Sequence, residues 1–264
     1  MDVAERQQRI VEHLVENQSA SVSQLSRLLD VSTVTIRNDL NQLARTGRVM
    51  RLHGGAQMAG ERHRQEYTFS KRQKIQALQK QQIGELAAGL VKPFDTILLD
   101  ASTTAVSVVR ALKCTPTLQD VTILTTGIWT ALEVLGCPGV NVVLTGGQVR
   151  STTGSITGSI TQQVLRQFNI QKAFLGAWGL TLEEGLTDTP LMEVELKRAI
   201  IERAQEVIAI IDSTKFGRTA LASFAAIDQI QRVITDQNIP PEMLAALDER
   251  GIEVLIAQPV SESS

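Results

Sequence analysis

The first 56 residues carry apolar positions at helical spacing, in three short runs. Residues 4–16 predict an amphipathic helix, because one of its faces is apolar throughout. A second helix is predicted to begin at Ser21, whose hydroxyl can form a capping box with the side chain of Gln24. A third is predicted to begin after Ser32. Three short helices with one tight turn are typical of a helix-turn-helix, whose last helix lies in the DNA major groove.

Polar and basic side chains on and after the third predicted helix have the chemistry of a DNA-binding surface. Arg37 and Asn38 can pair with guanine and adenine edges. The alternating segment from Arg48 to Gly55 predicts a small β-hairpin, whose basic residues could contact phosphates or the minor groove. The alternative is an ordinary helical domain with solvated charges. The candidate DNA-binding residues are Ser21, Ser32, Thr33, Thr35, Arg37, Asn38, Arg48, Arg51 and His53.

From Pro93 onwards, short unbroken apolar runs alternate with segments of helical period. This alternation predicts a parallel sheet covered on both faces, which is a doubly wound α/β domain. The predicted strands are 96–99, 121–125, 140–144, 172–175, 207–211, 231–234 and 253–256. The helices predicted with definite start and end residues are 74–92, 161–168, 191–204 and 241–248.

Hydroxyls, glycines and lysines gather at the predicted carboxyl ends of these strands, where doubly wound sheets bind ligands. Hydroxyls and free N–H groups at a helix N-terminus favour phosphate, although the same Ser/Thr runs could serve only as caps and turns. Lys215 could act as a phosphate counter-charge. Lys197 could do so too, or could form a surface pair with Glu193 four residues before it. The candidate ligand-binding residues are Asp100, Ser102, Thr103, Thr104, Thr125, Thr126, Gly146, Gly147, Gly176, Lys197 and Lys215.

The formal net charge of −2 hides an asymmetry between two parts of the chain. Residues 1–75 hold 12 Lys and Arg against 8 Asp and Glu, whereas the rest holds 14 against 20. A basic part before an acidic part suggests two domains with different partners. We therefore predict a DNA-binding domain over 1–57, a linker over 58–75, an effector domain over 76–258 and a tail over 259–264.

Composition narrows the function classes further. The chain has no apolar run long enough to span a membrane and no apolar leader, and its two cysteines cannot build a disulfide scaffold, so we expect a cytoplasmic protein. The aromatic content of 3% leaves little scope for base stacking and favours duplex DNA over single strands. No cofactor or metal site is predicted.

Residues 5–56 resemble the winged helix-turn-helix of the DeoR family of bacterial transcription regulators. The resemblance is carried by the segments 22–25, 31–40 and 53–56, and the family usually has a second arginine where this chain has Asn38. Residues 76–257 are similar to the family's effector domain, whose fold resembles ribose-5-phosphate isomerase. The matching segments here are 99–104, 144–147, 173–177, 185–187, 193–197 and 212–217.

The resemblance implies a regulator, most often a repressor, whose effector domain senses a phosphorylated sugar. It implies that Ser102, Thr103, Thr104 and a lysine hold the phosphate, with Asp100 on a sugar hydroxyl. The family often has glycine where this chain has Ser102, and asparagine where it has Thr126. Two-fold operators need paired DNA-binding domains, so a homo-oligomer is expected.

Two other functions stay open at this point. One is a sugar-phosphate isomerase, which needs a general base beside a carbonyl. Such isomerases carry an Asp-rich segment where this chain has Gly176–Thr181 without a carboxylate, although Glu193 or Asp188 could act instead. The other is a DNA-binding scaffold that senses nothing.

Overall fold

The computed structural model describes residues 2–17, 19–46, 48–52, 54–58, 69–115 and 118–258. The chain forms two compact units, Met1–Glu66 and Tyr67–Ser264, which we call the head and the body. The predicted tail and most of the predicted linker lie outside the described residues. Within the described part, every helix is too short or too polar to cross a membrane.

Three helices and a small antiparallel sheet form the head. The helices are α1 (Val3–Asn17), α2 (Val22–Leu29) and α3 (Thr33–Arg45). The strands are β1 (Ser19–Ser21), β2 (Val49–Leu52) and β3 (Gly55–Met58), in the order β1-β3-β2. The three predicted helices and the hairpin are confirmed. Strand β1 was not predicted, because three residues are too few for an alternation to be visible.

The head encloses its own apolar core. Ile10, Leu14, Leu25, Ile36 and Leu40 have no exposed surface, and they come from all three helices. Burying such a side chain contributes about 1.5–3 kcal/mol, which a unit of this size needs in order to fold.

Helices and mainly parallel strands alternate along the body. The helices are α4 (Phe69–Lys74), α5 (Ala77–Ala88), α6 (Thr103–Lys113), α7 (Ile128–Val134), α8 (Ser159–Leu165), α9 (Leu191–Ile201) and α10 (Pro241–Asp248). The strands are β4 (Thr96–Leu99), β5 (Val121–Thr125), β6 (Val140–Leu144), β7 (Gln148–Val149), β8 (Ile156–Thr157), β9 (Ile170–Leu175), β10 (Gly179–Thr181), β11 (Gly185–Asp188), β12 (Ala204–Ile210), β13 (Ala222–Ala225), β14 (Arg232–Asp236) and β15 (Glu253–Ala257). Short 3-10 helices span Ser213–Lys215 and Ile227–Gln229.

The main sheet of the body has seven parallel strands in the order β15-β14-β12-β9-β4-β5-β6. From the centre of the sheet, successive strands are added on one side as β4, β5 and β6, and on the other side as β9, β12, β14 and β15, while all seven strands point the same way. The order therefore reverses between β4 and β9, which is the switch point where doubly wound sheets bind ligands. The predicted fold class is confirmed.

The structure differs from the predictions in two parts of the body. The helix predicted over 74–92 is broken: α4 ends at Lys74, Gln76 adopts a left-handed conformation with φ 52°, and α5 begins at Ala77. As a result, part of the segment predicted as linker is helical. Two small antiparallel sheets, β10-β11-β13 and β7-β8, were also not predicted, because their short strands mix polar and glycine positions.

Helices α5 and α6 lie against each other on one face of the sheet, and Gly84 permits their close approach. A Cβ atom added at Gly84 would lie 2.5 Å from the Ser107 carbonyl carbon and 2.7 Å from its oxygen. Gly89, at the end of α5, has no such neighbour: its nearest atom would be the Leu86 oxygen at 3.4 Å. The two glycines therefore form a matched pair, one inside α5 and one directly after it.

We expect Gly84→Ala to lower the free energy of unfolding by about 1–3 kcal/mol, because overpacking against backbone outweighs the gain in helix propensity. Gly89→Ala should leave it unchanged or raise it slightly. Urea unfolding followed by circular dichroism measures both. Equal midpoints for the two variants would contradict the close approach of α5 and α6.

Candidate functional site

The outer face of α3 presents polar side chains that the rest of the head leaves uncovered. Thr33, Arg37, Asn38 and Asn41 are exposed, whereas Asp39 on the opposite face is buried. Arg37 and Asn38 therefore lie where the sequence predicted base-reading side chains.

Two of the hydroxyl residues among the DNA-binding candidates, Ser21 and Ser32, cap helices. The Ser21 hydroxyl accepts from the Gln24 N–H at 3.2 Å, and the Gln24 side chain accepts from the Ser21 N–H at 2.8 Å, which confirms the predicted capping box. The Ser32 hydroxyl accepts from the Thr35 N–H at 3.1 Å and lies 2.9 Å from the Thr35 hydroxyl. These side chains set where α2 and α3 begin.

The three candidates in the hairpin have different surroundings. Arg48 donates to the side chain of Gln8 at 3.2 Å. Arg51 is half-buried, and its Nη1 is buried without a hydrogen-bond partner. His53 lies outside the described residues.

A partly buried ion pair holds α1 against α3. Arg6 Nε lies 2.6 Å from Asp39 Oδ2, and Arg6 Nη2 donates to Asp39 Oδ1 at 3.2 Å. The hydrogen bond to Asp39 raises the pKa of Arg6, although burial opposes it. This two-pronged pair orients α3 from its inner side. Sequence analysis did not identify it, because the two residues are 33 positions apart.

In the body, the switch point between β4 and β9 is built around the carboxylate of Asp100. Its Oδ1 accepts from the Ser102 N–H at 3.0 Å, and its Oδ2 accepts from the Gly176 N–H at 2.9 Å. A Cβ at Gly176 would lie 2.6 Å from the Ser102 Cβ, so only glycine fits there. Asp100 is 2% exposed; its bond from Ser102 shapes the loop after β4, and its bond from Gly176 holds that loop to the loop after β9.

Lys197 of α9 completes this arrangement, which we call the switch-point frame (Asp100, Gly176, Asp188 and Lys197). Its Nζ lies 2.5 Å from Asp188 Oδ2, 2.7 Å from the Gly176 carbonyl oxygen and 3.1 Å from Asp100 Oδ2. Burial lowers the pKa of Lys197, but the charges of Asp188 and Asp100 outweigh burial and raise it above its usual value. The ammonium is thus a buried cation between two carboxylates.

The alternative prediction of a surface pair between Glu193 and Lys197 is wrong. Lys197 faces inward to the frame, and Glu193 instead pairs with Arg150, whose Nη1 lies 2.9 Å from Glu193 Oε1. The i, i+4 rule could not foresee this, because both side chains are buried against other elements of the body.

The candidate hydroxyls lie around the frame, mostly inside the protein. Ser102 caps α6 by accepting from the Ala105 N–H at 3.1 Å. Thr103 and Thr104, the first residues of α6, are 5% exposed. Thr125 is fully buried and its hydroxyl accepts from the Gly127 N–H at 3.1 Å, and Thr126 is 1% exposed.

Gly146 and Gly147 follow β6 with φ angles of 70° and 127°, which favour glycine. The Gly146 carbonyl accepts from the Thr161 hydroxyl at 2.7 Å, and a Cβ at Gly147 would lie 2.4 Å from the same hydroxyl oxygen. This pair of glycines thus allows the β6 end to lie close to α8.

A second group of charges, which we call the cation cluster, consists of Arg72, Lys80 and Lys215 beside Asp212. Lys215 lies in the 3-10 helix after β12, and its Nζ is 5.4 Å from the centre of the Trp178 ring. Burial lowers the pKa of Lys215, and the charges of Arg218 and Arg72 add to the effect, while Asp212 opposes it.

Lys80 is the most perturbed member of the cation cluster. It is 7% exposed, and its Nζ donates to the carbonyls of Arg72 at 2.6 Å and Ile75 at 2.5 Å. Burial above all, with the charges of Lys215 and Arg72, lowers the pKa of Lys80 to about 8, although the charge of Asp212 opposes the shift. The ammonium thus closes the end of α4, which explains part of the break in the predicted helix.

Arg72 adds an unsatisfied donor to the cluster, since its Nε is buried and has no hydrogen-bond partner. The Asp212 carboxylate is partly engaged already, because Oδ1 accepts from the Thr214 N–H at 3.1 Å. Arg72, Lys80 and Lys215, with Arg218 close to Lys215, therefore outnumber the neighbouring carboxylates of Asp212 and Asp188, and Asp188 is already paired with Lys197. Such an excess of positive charge fits an anion with several oxygens.

The sequence placed Lys215 among the candidates but missed Arg72 and Lys80. Both belong to the segment interpreted as a linker and a plain helix. The one signal that could have found them is the density of basic residues at 71–74.

Comparisons with known proteins agree with this division into head and body. Residues 6–62 match the DeoR-like helix-turn-helix domain, and residues 75–237 match the DeoR C-terminal sensor domain. The transcriptional regulator GolR of Listeria innocua is 36% identical over 96% of this chain and 98% of its own length. The glycerol-3-phosphate regulon repressor of Escherichia coli is 29% identical over 96% of this chain and 99% of its own length.

Among solved structures, a ribose 5-phosphate isomerase from Methanocaldococcus jannaschii is similar over 52% of this chain and 53% of its own length. The two share 19% sequence identity, with a TM-score of 0.37, so the likeness is a distant one.

We expect Lys197→Met to lower the free energy of unfolding by about 3–5 kcal/mol, because it leaves two buried carboxylates without their cation. Lys92→Met, at an exposed position, is the matched control and should change little. Adding Asp188→Asn to Lys197→Met should recover part of the loss, since one unpaired charge is removed. Thermal or urea unfolding measures all three, and a Lys197→Met variant as stable as the control would refute the frame.

Proposed function

Because this chain belongs to the DeoR family of transcriptional regulators, we propose that it represses carbohydrate genes and that a phosphorylated sugar bound in the body controls it. The observation that carries the sensing part of the proposal is the cation cluster, in which one buried and two half-buried cations outnumber the neighbouring carboxylates. The DNA-binding part rests on the family and on the exposed face of α3.

The head has the charge and the side chains that operator binding needs. The head as a whole holds 9 Lys and Arg against 8 Asp and Glu, but residues 27–52, which include α3 and β2, hold five arginines against two aspartates and supply a sequence-independent attraction to phosphates. Arg37 and Asn38 lie exposed on α3 and can read guanine and adenine edges, while Arg6 and Asp39 hold the inner side of that helix. We propose that Thr33, Arg37 and Asn38 contact bases, and that Ser21, Ser32, Thr35, Arg48, Arg51 and His53 position the head on the backbone.

The cation cluster suits the phosphate group of the effector. A phosphate dianion would give the free Arg72 Nε an acceptor and would offset the repulsion between Lys80 and Lys215. The hydroxyls and glycines at the nearby strand ends are proposed to meet the sugar: Ser102, Thr103, Thr104, Thr125, Thr126, Gly146, Gly147 and Gly176. Asp100 and Lys197, which the sequence also predicted as ligand-binding, are proposed to hold these strand ends in place through the frame. That one relative is named for a glycerol-3-phosphate regulon supports a phosphorylated polyol or sugar as the effector class.

We propose no catalytic role for the body. The two carboxylates that an isomerase mechanism could use as a base are engaged elsewhere: Asp188 is paired with Lys197, and Glu193 with Arg150. A general base must be free to take a proton from the substrate. The relatives are named as transcriptional regulators, which agrees with a sensor rather than an enzyme.

We expect Arg37→Ala to weaken binding to selected operator DNA by about 1–3 kcal/mol and to weaken binding to scrambled DNA much less, because Arg37 reads a base. Arg45→Ala, which removes the same charge from the exposed last turn of α3, should weaken both DNAs equally. Fluorescence anisotropy with a duplex selected in vitro by the full chain measures both.

The same titrations, repeated between about 50 and 200 mM salt, should show affinity falling steeply as counterions are released. Nearly salt-independent binding would refute the DNA-binding role. Equal losses on both DNAs for Arg37→Ala would reduce Arg37 to a phosphate contact.

We expect affinity for the sugar phosphate to fall several-fold between about pH 7 and pH 9, because Lys80, with a pKa of about 8, loses its charge in that range. The ligand stays a dianion throughout, since its second pKa is about 6. A bound dianion raises the pKa of Lys80, so binding should take up a proton near pH 8. Calorimetry in two buffers of different ionisation enthalpy measures this uptake.

The effector itself is found by thermal shift with a panel of triose, pentose and hexose phosphates, since a bound ligand raises the midpoint by mass action. Lys80→Met should remove both the shift and its pH dependence, whereas Lys92→Met should keep them. No shift with any phosphorylated sugar would favour a scaffold without a sensing role. Turnover of a sugar phosphate would favour the isomerase.

A further inference from the structure

One stretch of the body is almost free of charge. Between Val121 and Val149 the only charged residue is Glu133, although 20% of the whole chain is charged. Glu133 itself forms ion pairs with two residues of α6: its Oε2 lies 3.3 Å from Arg110 Nε, and its Oε1 lies 3.1 Å from Lys113 Nζ. This stretch includes α7 and β6, which pack against each other.

Strand β6 forms an edge of the seven-stranded sheet, and its partner among the described strands is β5 alone. One of its sides therefore presents backbone N–H and C=O groups that no described strand pairs. Natural proteins usually protect such an edge with charges. The opposite edge strand, β15, follows that rule, because its Glu253 is paired with Arg232. β6 carries no charge at all.

Exposed apolar side chains accompany this edge. Trp129, Leu132 and Leu135, in and directly after α7, are 45%, 54% and 60% exposed, and Leu144 at the end of β6 is 43% exposed. A single exposed leucine needs no explanation, but several beside an uncharged strand edge mark a surface that another molecule covers. We call these four residues with β6 the neutral edge.

We propose that the neutral edge pairs with the neutral edge of a second copy of this chain, with the two β6 strands antiparallel across a two-fold axis. Charge is compatible with this occupant. The body, Tyr67–Ser264, holds 17 basic against 20 acidic residues, so two bodies carry the same sign of net charge, and the neutral edge lets them meet without burying like charges.

Symmetry favours the same occupant. An antiparallel strand pair is self-complementary, as a two-fold interface must be, because each strand offers the other the same alternation of donors and acceptors. The pairing would join the two main sheets into one. This inference rests on the proposed function in one respect: a helix-turn-helix reads two half-sites only when two heads are held together.

The first test is the mass of the full chain by sedimentation velocity. We expect the wild type to be a dimer, or an even-numbered oligomer built on one, and Leu132→Glu to weaken the dimer at least tenfold by placing like charges in the interface. Leu221→Glu, the same change at a residue that is 64% exposed elsewhere in the body, should leave the dimer intact. Circular dichroism checks that both variants fold.

The second test is cross-linking, which does not depend on weakening the dimer. Single cysteines are placed in turn at positions 140–144, in a chain whose Cys114 and Cys137 are replaced by serine and alanine. A disulfide needs Cα atoms about 4.4–6.8 Å apart, so only positions beside the axis should join two copies under mild oxidation. A cysteine replacing Leu221 should not.

A monomeric wild type, or a dimer that Leu132→Glu leaves intact, would overturn the proposal, and so would the absence of a cross-link at every position of β6. A monomeric wild type would be expected if another segment of the same chain, or a different protein, covered the neutral edge. Failure of the proposed function looks different: the dimer would form, but neither selected DNA nor sugar phosphates would bind. A monomeric Leu132→Glu variant that still binds sugar phosphate would leave the sensor intact.

Discussion

The body depends on one buried ion group, in which the Lys197 ammonium lies between Asp188 and Asp100 and also donates to the Gly176 carbonyl. Taking three charges out of water costs several kcal/mol each, and their attraction offsets that cost only if the geometry is tight. The group therefore contributes little net stability but defines one arrangement. It joins α9, the end of β11 and the loops after β4 and β9, which are the elements that meet at the switch point.

The cation cluster also combines lysines with carboxylates, but there the positive charges outnumber the negative ones. In the frame, two carboxylates outweigh burial and the pKa of the lysine rises; in the cluster, burial and neighbouring cations outweigh Asp212 and the pKa values of both lysines fall. A saturated group of charges is a structural element, whereas a group with unmet positive charge can hold a ligand. This difference is the physical reason to separate Lys197 from Lys215, which the sequence had put in one candidate set.

Regular elements could be predicted from sequence because their signals are local. The caps at Ser21 and Ser32 and the buried strands were predicted from spacing alone, and the structure confirms them. The frame and the cluster could not be predicted, because their partners are distant in the chain: Asp100 reaches Gly176 across 76 positions. The left-handed Gln76, which separates α4 from α5, also has no local signal, since glutamine rarely adopts that conformation.

Control of the head by a ligand requires that the ligand bind two arrangements of the chain with different affinity. Helix α4 is the first element of the body in chain order, and it carries one residue of the proposed effector site. Its first residue, Phe69, donates its N–H to the Thr152 carbonyl at 3.0 Å and stacks on Trp129, whose ring lies against Gly154. Its fourth residue is Arg72, a member of the cation cluster. A phosphate bound by Arg72 would therefore hold the same short helix that Phe69 anchors to the strand-end loops, so ligand affinity and the position of α4 cannot vary independently.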